Sequence, residues 1–187
     1  MTTVAAANQA LFGDVLACEE TRPSAFVAGA VDAAARQAFA ARSEALLRAL
    51  AVIEDGVRGE EPEQPADHAL HRVEAKLDVL TLLVASVCAG AHDDPPRRLL
   101  WSARGACIGV DALVAAGTPG QFRVRPADWL PTPLLLPATA IAIDAGDDGE
   151  PRAWLRFDAL PPALEAALER HLFRIHRRSI AESRRAR

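Results

Sequence analysis

The chain has 187 residues, a formal net charge of −4 and a pI near 5.7, and half of its residues are hydrophobic. That composition supports an apolar core, which excludes wholesale disorder, and the acidic balance excludes a polycation built for nucleic acid. The three cysteines, Cys18, Cys88 and Cys107, stand far apart and in no C-x-x-C pair, which excludes a disulfide framework or a zinc ribbon.

Taken from the start, MTTVAAANQALFGD lacks the basic region and long apolar stretch of a secretion signal. No apolar run approaches the roughly 20 residues of a membrane span. These two features predict a cytoplasmic protein with no membrane partner. Residues 1–29 are mixed: Leu11, Phe12, Val15 and Leu16 suit a short extended piece, and Phe26-Val27 another around Pro23.

Residues 30–57 read as a helix, dense in alanine, with neither glycine nor proline before Gly56. Phe39, Leu46, Leu50, Ile53 and Val57 share one face, in which Ser43 is a polar gap. The Gly-, Pro- and acid-rich stretch 56–66 is a linker.

Residues 67–91 carry the strongest periodicity. Leu70, Val73, Leu77, Leu80, Val84 and Val87 alternate at steps of three and four, an unbroken heptad seam, with Asp67 as the expected N-cap. Val79, Leu82 and Leu83 widen the apolar surface. The seam predicts either pairing with the helix at 30–57 or self-association, and self-association is the reading preferred. With no buried asparagine to restrict it to two strands, a tetramer is favoured over a dimer.

From residue 97 the pattern becomes short strands with turn residues between them: 99–110 with a break at Gly105, 121–125, 134–143 and 152–157. Such spacing suggests a small antiparallel barrel. After Pro161-Pro162 a final helix shows Leu164, Leu168, Leu172 and Ile175 on one face. This segment, 160–187, holds seven arginines and three glutamates for a net +4, so the remainder carries −8. Its apolar face should dock on the barrel and leave Arg170, Arg174, Arg177 and Arg178 in water.

No catalytic set assembles. Ser102 lies in W-S-A-R-G, which is not a G-x-S-x-G elbow, and no glycine-rich loop could cradle a phosphate. His68 and His71, with Asp67 and Glu74 nearby, lack a third ligand, so they read as solvated helix residues and no metal is expected. His171 and His176, five apart, fall on different helix faces.

In the order of its pieces, W-S-A-R-G-A-C-I at 101–108, A-G-T-P-G-Q-F-R-V at 116–124, P-L-L-L-P-A-T-A-I at 133–141 and W-L-R-F-D-A-L-P at 154–161, the chain resembles a PilZ domain, the β-barrel of bacterial cyclic di-GMP receptors. It is similar to the tetrameric helical subtype from plant-pathogenic bacteria. The resemblance implies an α+β fold: a PilZ-like antiparallel β-barrel at 93–160, two long helices before it in an oligomerisation region at 30–92, one Arg-rich C-terminal helix at 161–187, and a segment 1–29 available to add a strand. The family grips its dinucleotide with R-x-x-x-R ahead of the barrel and D/N-x-S-x-x-G on a strand. Here Ser102 and Gly105 match the last two positions as a vestigial motif, but Leu100 stands at the acid or amide position and offers no hydrogen bond to guanine. No R-x-x-x-R stands upstream of the barrel segment at 93–160; the remaining phosphate candidates are Arg97, Arg98 and Arg22. The resemblance therefore implies a non-enzymatic oligomeric adaptor in cyclic di-GMP signalling, without cofactor, acting on an unidentified signalling protein and unable to bind the dinucleotide alone. A receptor with rearranged arginines and a nucleic-acid-binding barrel are the alternatives, the latter opposed by net charge.

Overall fold

A computed structural model describes residues 2–56, 65–89, 93–145 and 150–185. The elements run α1 (Val4–Phe12), β1 (Ala17–Ala28), α2 (Ala33–Gly56), α3 (Pro65–Ala89), β2 (Pro96–Ser102), β3 (Gly105–Gly109), β4 (Pro119–Val124), β5 (Leu134–Asp144), β6 (Arg152–Phe157) and α4 (Pro162–Arg185). The strands close into a barrel of order β1-β2-β3-β6-β5-β4, every neighbouring pair antiparallel. The expected α+β class is the one observed.

β1 closes the barrel. Its first half, Ala17–Pro23, pairs with β2, and its second half, Ser24–Ala28, pairs with β4. Pro23 sits at the hand-over, where a residue without an N–H donor loses no ladder bond. Pro23 instead accepts from the Arg125 amide, while the Ser24 amide donates to the Pro95 carbonyl. Alternation sends Leu99, Trp101, Phe122, Val124, Leu134, Leu136, Leu155 and Phe157 inward, all buried. Phe122 and Phe157 stack with ring centroids 5.6 Å apart.

β5 breaks that alternation, because Leu134 to Ala138 are all buried. The reason is α2, which covers the outer face of β5. The Ser43 hydroxyl donates to the Leu135 carbonyl at 3.1 Å and accepts the Leu135 amide at 3.0 Å, so the polar gap in the α2 face is a side-chain bridge to the sheet. Around it Ala40, Leu46, Leu47 and Leu50 are buried. Asp32 caps the helix by accepting the Ala35 amide at 2.7 Å.

Three expectations are corrected. Leu11 and Phe12 are not extended: they end α1, whose Thr3 hydroxyl caps the Ala6 amide at 3.2 Å and whose Ala7 and Leu11, four apart, face the barrel. α3 starts at Pro65, two residues before the expected cap, with proline in the first turn where its missing N–H costs nothing. On α4 the apolar face is buried as expected, but Arg174 is not in water. It is 11% exposed and ion-paired with Glu54 of α2 at 3.3 Å, and Arg178 reaches the same carboxylate at 3.0 Å. Docking therefore runs against α2 as well as the barrel. Val57, Gly90 and the linker at 57–64 lie outside the described residues.

Candidate functional site

The vestigial motif forms the tight β2–β3 connection, with β2 ending at Ser102 and β3 starting at Gly105. Ser102 is fully buried. Its hydroxyl donates to the Leu11 carbonyl at 2.7 Å and accepts the Arg104 amide at 3.0 Å, which uses the hydroxyl in both directions. A Cβ on Gly105 would stand 2.1 Å from the Leu155 carbonyl oxygen and 2.8 Å from a Leu11 methyl, so only glycine fits. Both motif residues are thus occupied by α1 and β6. Leu100, half-buried, sits in register between Glu19 and Cys107.

Of the three candidate arginines, Arg22 and Arg97 share one face of the sheet and Arg98 does not. Arg97 and Arg98 are adjacent on β2 and so face opposite sides of the sheet, and Arg22 lies directly across from Arg97. Each meets a carboxylate. Arg22 Nε bonds Glu20 at 2.9 Å and its Nη1 bonds Asp128; Arg97 pairs with Asp111 at 2.5 Å; Arg98 pairs with Glu19 at 2.5 Å. A phosphate would have to displace these carboxylates to gain its own charge-assisted bonds. Glu20 also accepts the Trp101 indole N–H at 3.0 Å, an arrangement that sequence reasoning missed. The Glu20-x-Arg22 spacing, with both side chains on one strand face, was the available signal. Arg123 and Asp94 form a further two-bond pair, one of 3.0 Å.

Beneath β1 lies a buried polar layer. His171 on α4 is 1% exposed, packs edge-on against Trp101 with centroids 5.9 Å apart, and among the described residues neither ring nitrogen has a hydrogen-bond partner. Burial, followed by the charges of Arg174, Arg22 and Arg178, pushes its pKa down to about 3, so the ring is neutral. The Cys18 thiol donates to the Leu172 carbonyl at 3.3 Å, and burial, reinforced by Glu20, raises its pKa to about 11. Burial raises Cys107 likewise to about 11. Thiols so protonated are poor nucleophiles at neutral pH. Among the described residues no group of three His, Cys, Asp or Glu side chains could hold a metal ion. The side chains of Asp67, His68 and His71 lie outside them.

The second candidate surface is α3. It packs on α2 through Ala75 and Val79, both buried, with Leu83 partly so. The heptad seam points elsewhere: Leu70, Val73, Leu77, Leu80 and Val84 are 52–64% exposed, an uncovered apolar stripe along one helix. The intramolecular pairing with α2 therefore does not use the seam. The side chains of Leu82 and Val87 lie outside the described residues. Among those residues no helix is long and apolar enough to cross a membrane.

A family model described as "Atypical PilZ domain, cyclic di-GMP receptor" matches residues 47–185. Among solved structures, the chain is similar to a pathogenic protein from Xanthomonas campestris described as a tetrameric PilZ domain self-assembled via an unusual helical bundle. The two are 37% identical, with 95% of this chain and 97% of that one covered and a TM-score of 0.76. YcgR of Escherichia coli in complex with c-di-GMP is 24% identical, over 49% of this chain and 40% of that one, at a TM-score of 0.43. The Bacillus subtilis inhibitor of motility MotI/DgrA is 16% identical, over 43% and 41%, at 0.37. No curated protein sequence matches.

Proposed function

The chain belongs to the atypical PilZ domain family, and on that premise we propose that it is a non-enzymatic, cytoplasmic adaptor of cyclic di-GMP signalling. In this reading it assembles into a tetramer through α3 and does not bind the dinucleotide by itself. The observation that carries the proposal is the division of labour on α3. Ala75 and Val79 serve the fold, while Leu70, Val73, Leu77, Leu80 and Val84 stay open to solvent. A stripe of that length in water is unfavourable unless another apolar surface covers it. Each Leu or Val moved from water into an interface contributes roughly 1.5–3 kcal/mol. The Xanthomonas relative, described as assembling through a helical bundle, supports a second copy as the cover.

Loss of unaided dinucleotide binding is supported by the site geometry. The Ser102 hydroxyl is engaged by Leu11, Leu100 replaces a polar residue, and Arg22, Arg97 and Arg98 are each tied to a carboxylate. A ligand with two phosphates needs several charge-assisted bonds to reach micromolar affinity, about −8 kcal/mol. The free thiols of Cys18 and Cys107 suit a reducing compartment. Calorimetric titration with cyclic di-GMP tests the binding half of the proposal. No heat of binding is expected, and saturable binding below about 10 µM would favour the receptor with rearranged arginines.

A further inference from the structure

Bordering the Ser102 turn at Ala103, a groove of about 620 Å³ opens between α4 and the residues leading into β1. That volume is in the range of sites that hold a small ligand or a few side chains. Its floor is aliphatic, with Val15, Leu16 and the edge of Leu172. Phe173 stands on its wall, 53% exposed, although its neighbour Leu172 is buried in the core. The Arg177 guanidinium lies 5.9 Å from the Phe173 ring centroid, one helical turn along, and Arg170 borders the same wall.

The charge on this rim is unbalanced. Around the barrel, Arg22, Arg97 and Arg98 each have a carboxylate partner, and on α4 Arg174 and Arg178 share Glu54. Among the described residues, neither Arg170 nor Arg177 pairs with a carboxylate, and the one acid lining the groove is Glu169. The positive end of an otherwise acidic chain is therefore placed beside its exposed phenyl ring.

We propose that this groove docks an acidic segment of a partner protein that carries aliphatic or aromatic side chains. The apolar groups lie on the Leu16–Phe173 floor, and flanking Asp or Glu side chains pair with Arg170 and Arg177. Arginine forks suit carboxylates, and partial burial beside Phe173 strengthens such pairs. A peptide fits better than a nucleic acid because the aliphatic floor offers base edges no hydrogen-bond donors or acceptors. The proposal rests on the adaptor reading and supplies the surface through which the adaptor would work.

The test is selection of random displayed dodecapeptides on the immobilised full chain at physiological salt, followed by titration of the synthesised consensus peptide. The expected consensus places Asp or Glu beside Leu, Ile or Phe. Its affinity should fall at least about tenfold in the double variant Arg170→Glu/Arg177→Glu and, separately, in Phe173→Ser. Absence of an acidic, apolar consensus, or equal affinity in the variants, overturns the proposal. So does tighter binding of an oligothymidine, phosphatidylglycerol vesicles or cyclic di-GMP that the same variants abolish. The native mass of the double variant should equal that of the unmodified chain, and a fall would assign the groove to contact between copies. A monomeric unmodified chain that still selects the consensus would sink the tetrameric scaffold and leave the groove standing.

Discussion

The hydroxyl of Ser102 donates to the main-chain carbonyl of Leu11 at 2.7 Å, at the place where a family ligand motif would present its serine. The bond is fully buried and links the β2–β3 turn to α1. Its neighbour Gly105 lies under the same Leu11 side chain. The motif is therefore part of the fold's packing.

That arrangement gives a stability order. Ser102→Ala leaves the Leu11 carbonyl and the Arg104 amide without their partner, at a cost of about 1–3 kcal/mol. Gly105→Ala should be worse, since its Cβ would overlap the Leu155 carbonyl at 2.1 Å and backbone, not a flexible side-chain tip, must move. Denaturant unfolding of both variants checks the order. Gly105→Ala as stable as the native chain would contradict the geometry.

Ser43 is the corresponding tie between the helical layer and the barrel. Ser43→Ala removes the partner of both polar groups of Leu135 in a buried position. The expected cost is again about 1–3 kcal/mol. At roughly 2–4 °C per kcal/mol for a chain of this size, thermal unfolding would resolve it. A melting temperature unchanged by the substitution would mean that water or another group replaces the serine.

Much of this architecture was legible in the sequence, and the exceptions share a cause. The alternating strands, the heptad and the α4 face of Leu164, Leu168, Leu172 and Ile175 are periodic, and periodicity survives in one dimension. α1 was missed because its one apolar pair, Ala7 and Leu11, is too short a signal, although Thr3 ahead of an alanine run was a usable cap. Ser43 read as a gap because its partner, Leu135, is 92 residues away. Glu20 lies two residues from Arg22, but the other carboxylates, Asp128 for Arg22 and Asp111 for Arg97, come from loops that only the fold brings to β1 and β2. Burial of His171 next to Trp101 was likewise invisible, because both side chains look polar-tolerant until the helix docks.

His171 makes stability depend on pH. Its folded pKa of about 3 lies below the ordinary 6.5 of an unfolded histidine, so between those values the unfolded chain binds the proton and the folded one does not. Stability contributed by the neutral ring is fully present above about 6.5 and is lost as pH falls toward 3. The slope approaches about 1.4 kcal/mol per pH unit within that window. His171→Leu should flatten the acid limb of a stability-against-pH curve relative to the native chain. Identical limbs in the two proteins would show that the ring is hydrated or paired in solution.

On α3, the two faces should separate genetically. Leu77→Asp with Leu80→Asp places charge on the exposed seam and leaves the α2 contact intact, so it should dissociate the assembly and keep the barrel folded. Val79→Asp buries a charge against α2 and should instead lower the melting temperature. Circular dichroism beside gel filtration distinguishes the two. Loss of fold in the seam variant, with no folded smaller species, would show that the seam supports the monomer.

Self-association through α3 is the central claim, and the native mass of the unmodified chain in solution tests it most directly. Light scattering should return about four times the 19.9 kDa chain mass. A mass near 19.9 kDa, unchanged over protein concentration, would contradict it.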